Sequence, residues 1–71
     1  MRIIDKTKLR HLREKAGLNQ QELGYEAGVG GDFISHVEAG RKTPGLEVTA
    51  LIADRLGVKV DDLLTPRPPT K

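Results

Sequence analysis

Apolar residues along the chain fall in short clusters at three- and four-residue spacing, and a glycine closes most of them. Leu9, Leu12 and Ala16 make one stripe of a first helix, capped by Asp5, stapled by Ile4 and Leu9, and stopped at Gly17. Leu18 then staples to Leu23 around Asn19, which caps a second helix while Glu22 reaches back to the Asn19 amide. Gly28 supplies the left-handed residue that ends this helix at Ala27, and Val29 folds back onto Leu23. Phe33, Ile34 and Val37 mark the inner side of a third helix, from about Gly31 to Ala39, which Gly40 stops. Pro44 biases Thr43 away from helix, so residues 41–44 form a loop. A fourth helix from about Leu46 to Leu56 presents Val48, Leu51, Ile52 and Leu56 to the core. A short fifth, about Val60 to Leu64, opens with Asp61 and Asp62, whose charges suit the positive end of a helix dipole. Leu63 staples back to Val58. Caps weaken along the chain, from Asp5 and Asn19 to Gly30, Gly45 and Lys59.

The expected architecture is therefore an all-α, compact five-helix domain over residues 1–64. The segment 65–71, with Pro66, Pro68 and Pro69, cannot continue a helix and is expected to be an extended or disordered tail, whether a terminus or the start of a linker. Between Leu18 and Gly40 two short helices meet across a tight glycine-bearing turn. That is a helix-turn-helix, whose second helix is shaped to lie in the major groove of DNA.

The runs L-N-Q-Q-E-L, G-V, I-S-H-V-E-A-G, T-P-G-L-E and L-G-V-K-V-D-D-L-L occur in order, and together they resemble the Cro and phage-repressor type of helix-turn-helix domain, the XRE family. The resemblance covers roughly residues 5 to 64. It implies a five-helix lambda-repressor-like domain that binds operator DNA, usually as a dimer. It also implies that Gly31, Asp32, Ser35 and His36, on the outer face near the start of the third helix, meet base edges. Gly31 has no side chain, and Asp32 accepts from a cytosine amino group but repels phosphate. Where the family has an Arg on helix one and a Glu at the end of helix three, the two bridge. Arg13 and Glu38 stand at those positions. Gly24 stands where the family prefers a small residue, so that the second and third helices approach closely.

The net charge is only +2 and the pI near 9.2, so bulk charge says little about a nucleic-acid partner. Its distribution says more. Arg2, Lys6, Lys8, Arg10, Arg13 and Lys15 crowd the first helix and its approach, although Arg10 with Glu14 suits simple i,i+4 pairing. Arg41 and Lys42 follow the helix-turn-helix, while the stretch between Ala16 and Gly40 holds Glu22, Glu26, Asp32 and Glu38 and no Lys or Arg. Phosphate contacts are thus expected from Arg41 and Lys42, and from Asn19, Gln20 and Gln21 at a helix N-terminus, where free amides favour an anion. Tyr25 and Phe33 are expected to pack rather than to stack on bases.

Other chemistry finds little support. Ser35 and His36 are adjacent on a helix, so their side chains diverge by roughly 100° and make no nucleophile–base pair. His11 and His36 have no cysteine partner and fit no metal-ligand spacing, so neither an enzyme nor a metal or other cofactor is expected. The chain has no cysteine and no apolar run of membrane-spanning length, which suits a soluble cytoplasmic protein. The expected function is sequence-specific binding of double-stranded DNA as a transcriptional repressor, acting as a homodimer through helices four and five including Leu64. The rival reading is a protein-interaction module whose acidic third helix binds a protein partner.

Overall fold

Five helices form in the order α1 (Lys6–Lys15), α2 (Gln20–Ala27), α3 (Gly31–Glu38), α4 (Leu46–Leu56) and α5 (Val60–Leu63) in the computed structural model, which describes residues 3–65. Most of the expected tail, residues 66–71, lies outside the described residues. The first four helices stop in the same way. Gly17, Gly28, Gly40 and Gly57 take positive φ, and the next amide returns to the carbonyl five residues earlier. These bonds run from Leu18 to Arg13, Val29 to Gly24, Arg41 to His36 and Val58 to Ala53, satisfying carbonyls that a helix end otherwise leaves open.

The starts follow the side chains. The Asp5 carboxylate accepts from the amides of Thr7 and Lys8. Asn19 and Glu22 form a reciprocal capping box, with the Glu22 amide 2.7 Å from Asn19 Oδ1 and the Asn19 amide 2.8 Å from Glu22 Oε1. Gly30 and Gly45 offer no side-chain cap to α3 and α4. At α5 the Asp62 carboxylate accepts from the Lys59 amide, half of a capping box, while Lys59 itself offers no side-chain acceptor.

All five helices feed one core. Leu9, Leu23, Ile34, Val37, Ile52 and Leu63 are fully buried, with Ile4, Ala27 and Ala53 beside them. Three expected core positions turn out otherwise. Ala16 is exposed, because it lies past the last turn of α1, where Gly17 is already reversing the chain. Leu51 is largely exposed, since Thr49, Ile52 and Ala53 take the inner face of α4. The buried Thr49 hydroxyl keeps a partner by donating to the Gly45 carbonyl at 2.9 Å. Tyr25, expected to pack, is 84% exposed on the outer side of α2.

The two ends of the described chain meet. Ile4 and Leu64 form an isolated antiparallel bridge, the Asp5 amide donates to the Leu63 carbonyl at 2.7 Å, and the Thr65 amide donates to the Ile3 carbonyl at 2.7 Å. Thr65 thus belongs to the folded body rather than to a free tail. Leu64 is half-buried in the bridge rather than open on a helix face.

Candidate nucleic-acid interface

The helix-turn-helix rests on a close approach of α2 and α3 made possible by glycine. A Cβ added at Gly24 would collide with the carbonyl of Gly30, and one at Gly31 would lie 2.8 Å from the Cα of Gln21. Both collisions are with backbone, which cannot swing away. The turn between them is held by the amides of Val29 and Gly30, both donating to the Gly24 carbonyl. Gly30 has φ +87°, open to glycine without strain.

A second contact sets α3 against the body. Arg13 Nε donates to Glu38 Oε2 at 2.6 Å and its Nη2 to Glu38 Oε1 at 3.1 Å, a two-point fork. Arg13 Nη1 also donates to the Leu18 carbonyl at 2.9 Å, and Gln20 Nε2 donates to Glu38 Oε1 at 3.1 Å. The side chains are only 10% and 6% exposed. The Glu38 hydrogen bond holds the Arg13 guanidinium above its ordinary pKa, with burial opposing and the nearby Glu38 and Glu14 charges adding to the rise. One network therefore joins α1, the α1–α2 turn, the first residue of α2 and the last of α3.

With Ile34 and Val37 inside and Glu38 held by Arg13, the outer face of α3 is Asp32, Ser35, His36 and Ala39. Asp32, Ser35 and Ala39 are exposed, and His36 is half-buried. Gly31 contributes only backbone, and Gln21 fills the space a larger side chain would need. An open polar cleft is lined by Gln20, Gln21, Gly31, Asp32 and Ser35, together with Val29 and Gly30. It brings together residues expected to touch phosphate and residues expected to touch bases.

The structure distinguishes among the expected phosphate contacts. Asn19 spends its carbonyl oxygen and its backbone amide in the capping box, leaving its side-chain NH2. Gln20 gives one N–H to Glu38 and keeps the other, while Gln21 stays exposed beside Gly31. Arg41 and Lys42 are exposed in the loop after α3, and the Lys42 ammonium lies 5.5 Å from the centre of the half-buried Phe33 ring. That contact folds Lys42 back along α3. His36, Arg41 and Lys42 lie outside the Gln20–Ser35 cleft, toward the far end of the helix.

What sequence reasoning missed is the part played by Gln20 in the Arg13–Glu38 network. Its position as the first residue of α2, whose start must lie beside the end of α3, was the available signal.

The fold and this surface define a helix-turn-helix domain of the all-helical five-helix type. The comparisons agree, since the helix-turn-helix domain family matches residues 7–65, and the chain belongs to that family. Among curated relatives, the HTH-type transcriptional regulator DdrOP3 of Deinococcus deserti is 35% identical over 57 residues, 80% of this chain and 44% of its own length. An uncharacterized HTH-type transcriptional regulator of Archaeoglobus fulgidus is 33% identical over 82% of this chain and 83% of its own. Among solved structures, the clp gene regulator ClgR of Corynebacterium glutamicum matches with a TM-score of 0.76 and 32% identity, over 80% of this chain and 61% of that one. The restriction-modification controller protein C.AhdI of Aeromonas hydrophila matches with a TM-score of 0.77 and 26% identity, over 80% and 86%. This chain thus spans less than half of the Deinococcus regulator and about three-fifths of ClgR, but most of the other two.

Proposed function

We propose that this chain is a sequence-specific DNA-binding transcriptional regulator, a repressor that acts by occupying a palindromic operator as a homodimer in the cytoplasm. The observation that carries the reading is the outer face of α3, held rigidly by the Arg13–Glu38 fork and the α2–α3 glycine contact, with cations on the loop that follows. In this reading Asp32, Ser35 and His36 meet base edges, Gly31 brings the backbone close, and Asn19, Gln20, Gln21, Arg41 and Lys42 hold phosphates on either side. The relatives named as transcriptional regulators support it, as do ClgR and C.AhdI, a gene regulator and a controller protein. No helix among the described residues is long and apolar enough to cross a membrane. A second copy would cover the apolar groove lined by Ile3, Pro44, Leu46 and Leu64, where Leu46 is 77% exposed. A two-fold pair of domains matches half-sites about one helical turn apart.

One observation favours a second reading. Asp32 is exposed and α3 carries no Lys or Arg, which suits a basic protein partner as well as a cytosine amino group. Selection of bound duplexes from a random library at low salt, with the winners retested by anisotropy at rising salt, separates the two. An enriched palindrome whose affinity falls steeply with salt is the expected result. The absence of enrichment, or weak binding blind to sequence, overturns the DNA reading in favour of a protein partner.

A further inference from the structure

Lys6, Arg10 and Arg13 fall at i, i+4 and i+7 on α1, so they share one edge of that helix. Because Arg13 is drawn into Glu38, the edge faces the C-terminal half of α3. Arg10 borders a shallow polar hollow with Gln20, Ser35 and Ala39, and Ser35 and Ala39 are also on the outer face of α3. The Lys6 ammonium lies 3.1 Å from where a Cβ would stand on Gly40, just past the end of α3. The fold therefore places two α1 cations next to a reading face that has no Lys or Arg of its own.

We infer that Arg10 is a phosphate-binding residue of this interface, and that Glu14 is its internal competitor, holding the guanidinium until a DNA phosphate replaces it. The inference rests on the DNA-binding reading above. Three observations carry it. Arg10 and Glu14 make a single contact, Nε to Oε2 at 3.2 Å, with side chains 67% and 55% exposed. Such a pair in water is weak, so Arg10 is readily surrendered to a stronger anion. Glu14 Oε2 also lies 4.0 Å from Arg13 Nη2, so this carboxylate has a second cation to face once Arg10 leaves. A duplex presents one negative charge for about every 1.7 Å of its axis, so a strand laid along Ser35 and Ala39 would set phosphates beside that hollow. Arg41 and Lys42 sit in the loop beyond, with Lys42 turned toward Phe33, whereas Arg10 borders the hollow itself.

The test uses the whole chain and the best duplex from the selection, with affinity measured by anisotropy across a salt series. The variants are Arg10→Gln, Glu14→Gln and the double substitution, each first checked for an unchanged melting temperature, as their exposure predicts. Arg10→Gln is expected to weaken binding several-fold at low salt and to lower the slope of log affinity against log salt by about 0.9, one released counterion. Glu14→Gln is expected to tighten binding in the parent but not in the Arg10→Gln background. An unchanged slope in Arg10→Gln while the parent keeps a steep one overturns the inference and leaves the DNA reading standing. Salt-independent behaviour of the parent itself removes both.

Discussion

At the scale of residues, the Arg13–Glu38 pair is where most is at stake. Two charges out of water are tolerable here because each guanidinium nitrogen and each carboxylate oxygen has a partner, with the Leu18 carbonyl and the Gln20 amide adding to the fork. Removing one partner strands the other. Arg13→Met and Glu38→Gln are each expected to cost about 3–5 kcal/mol, a large share of what a domain this size holds. In a thermal melt that is about 4–8 °C for each kcal/mol lost. Replacing both with apolar residues, Arg13→Met with Glu38→Leu, is expected to recover much of the loss, since no charge is then left buried alone. Single variants that melt like the parent would show the pair to be superficial. The raised Arg13 pKa contributes stability that is complete below the unfolded-state value and is lost only as pH rises through the folded one. That window is strongly alkaline, so Arg13 gives stability no pH dependence near neutrality.

At the scale of elements, helix ends were legible and helix faces were less so. A glycine stop followed by a returning amide is local, and the Asn19–Glu22 box spans four residues, so each can be read without knowing the fold. Which side of a helix is buried depends on its neighbours. Leu51 is apolar and spaced like a core residue, yet Thr49, Ile52 and Ala53 take the inner face of α4 and leave it on the outside. Tyr25 sits beside apolar positions of α2 but outside the arc that Leu23, Gly24 and Ala27 bury. The α2–α3 junction depends on absence of a side chain. Gly24→Ala is expected to destabilise by about 1–3 kcal/mol or more, because the added methyl meets the Gly30 backbone. A melting temperature equal to that of the parent would mean the turn can shift to admit it.

At the scale of the whole molecule, the clasp between residues 3–5 and 63–65 joins the start of α1 to the end of α5, so the helices are closed into one body. Hydrogen exchange gives a direct check. The amides of Asp5 and Thr65 donate to Leu63 and Ile3 and are expected to exchange nearly as slowly as those around Ile52 in α4. Exchange at the rate of an open chain end would show that the clasp does not persist in solution. The geometry of the candidate site was partly legible at this scale. The helix-turn-helix, the outer positions of α3 and the Arg13–Glu38 pairing came from motif spacing and family resemblance. The convergence of Gln20, Gln21, Asp32 and Ser35 on one cleft, and of Arg10 on the hollow beside Ser35, did not. The helices, their caps and stops and the helix-turn-helix order can be read along the chain, because these depend on hydrogen bonds and apolar spacing within a few residues. Which faces are buried, how Gln20 and Arg10 are oriented, and the pairing of residues 3–5 with 63–65 were settled by the folded arrangement. Those outcomes depend on contacts between residues far apart in the chain, to which local spacing is blind.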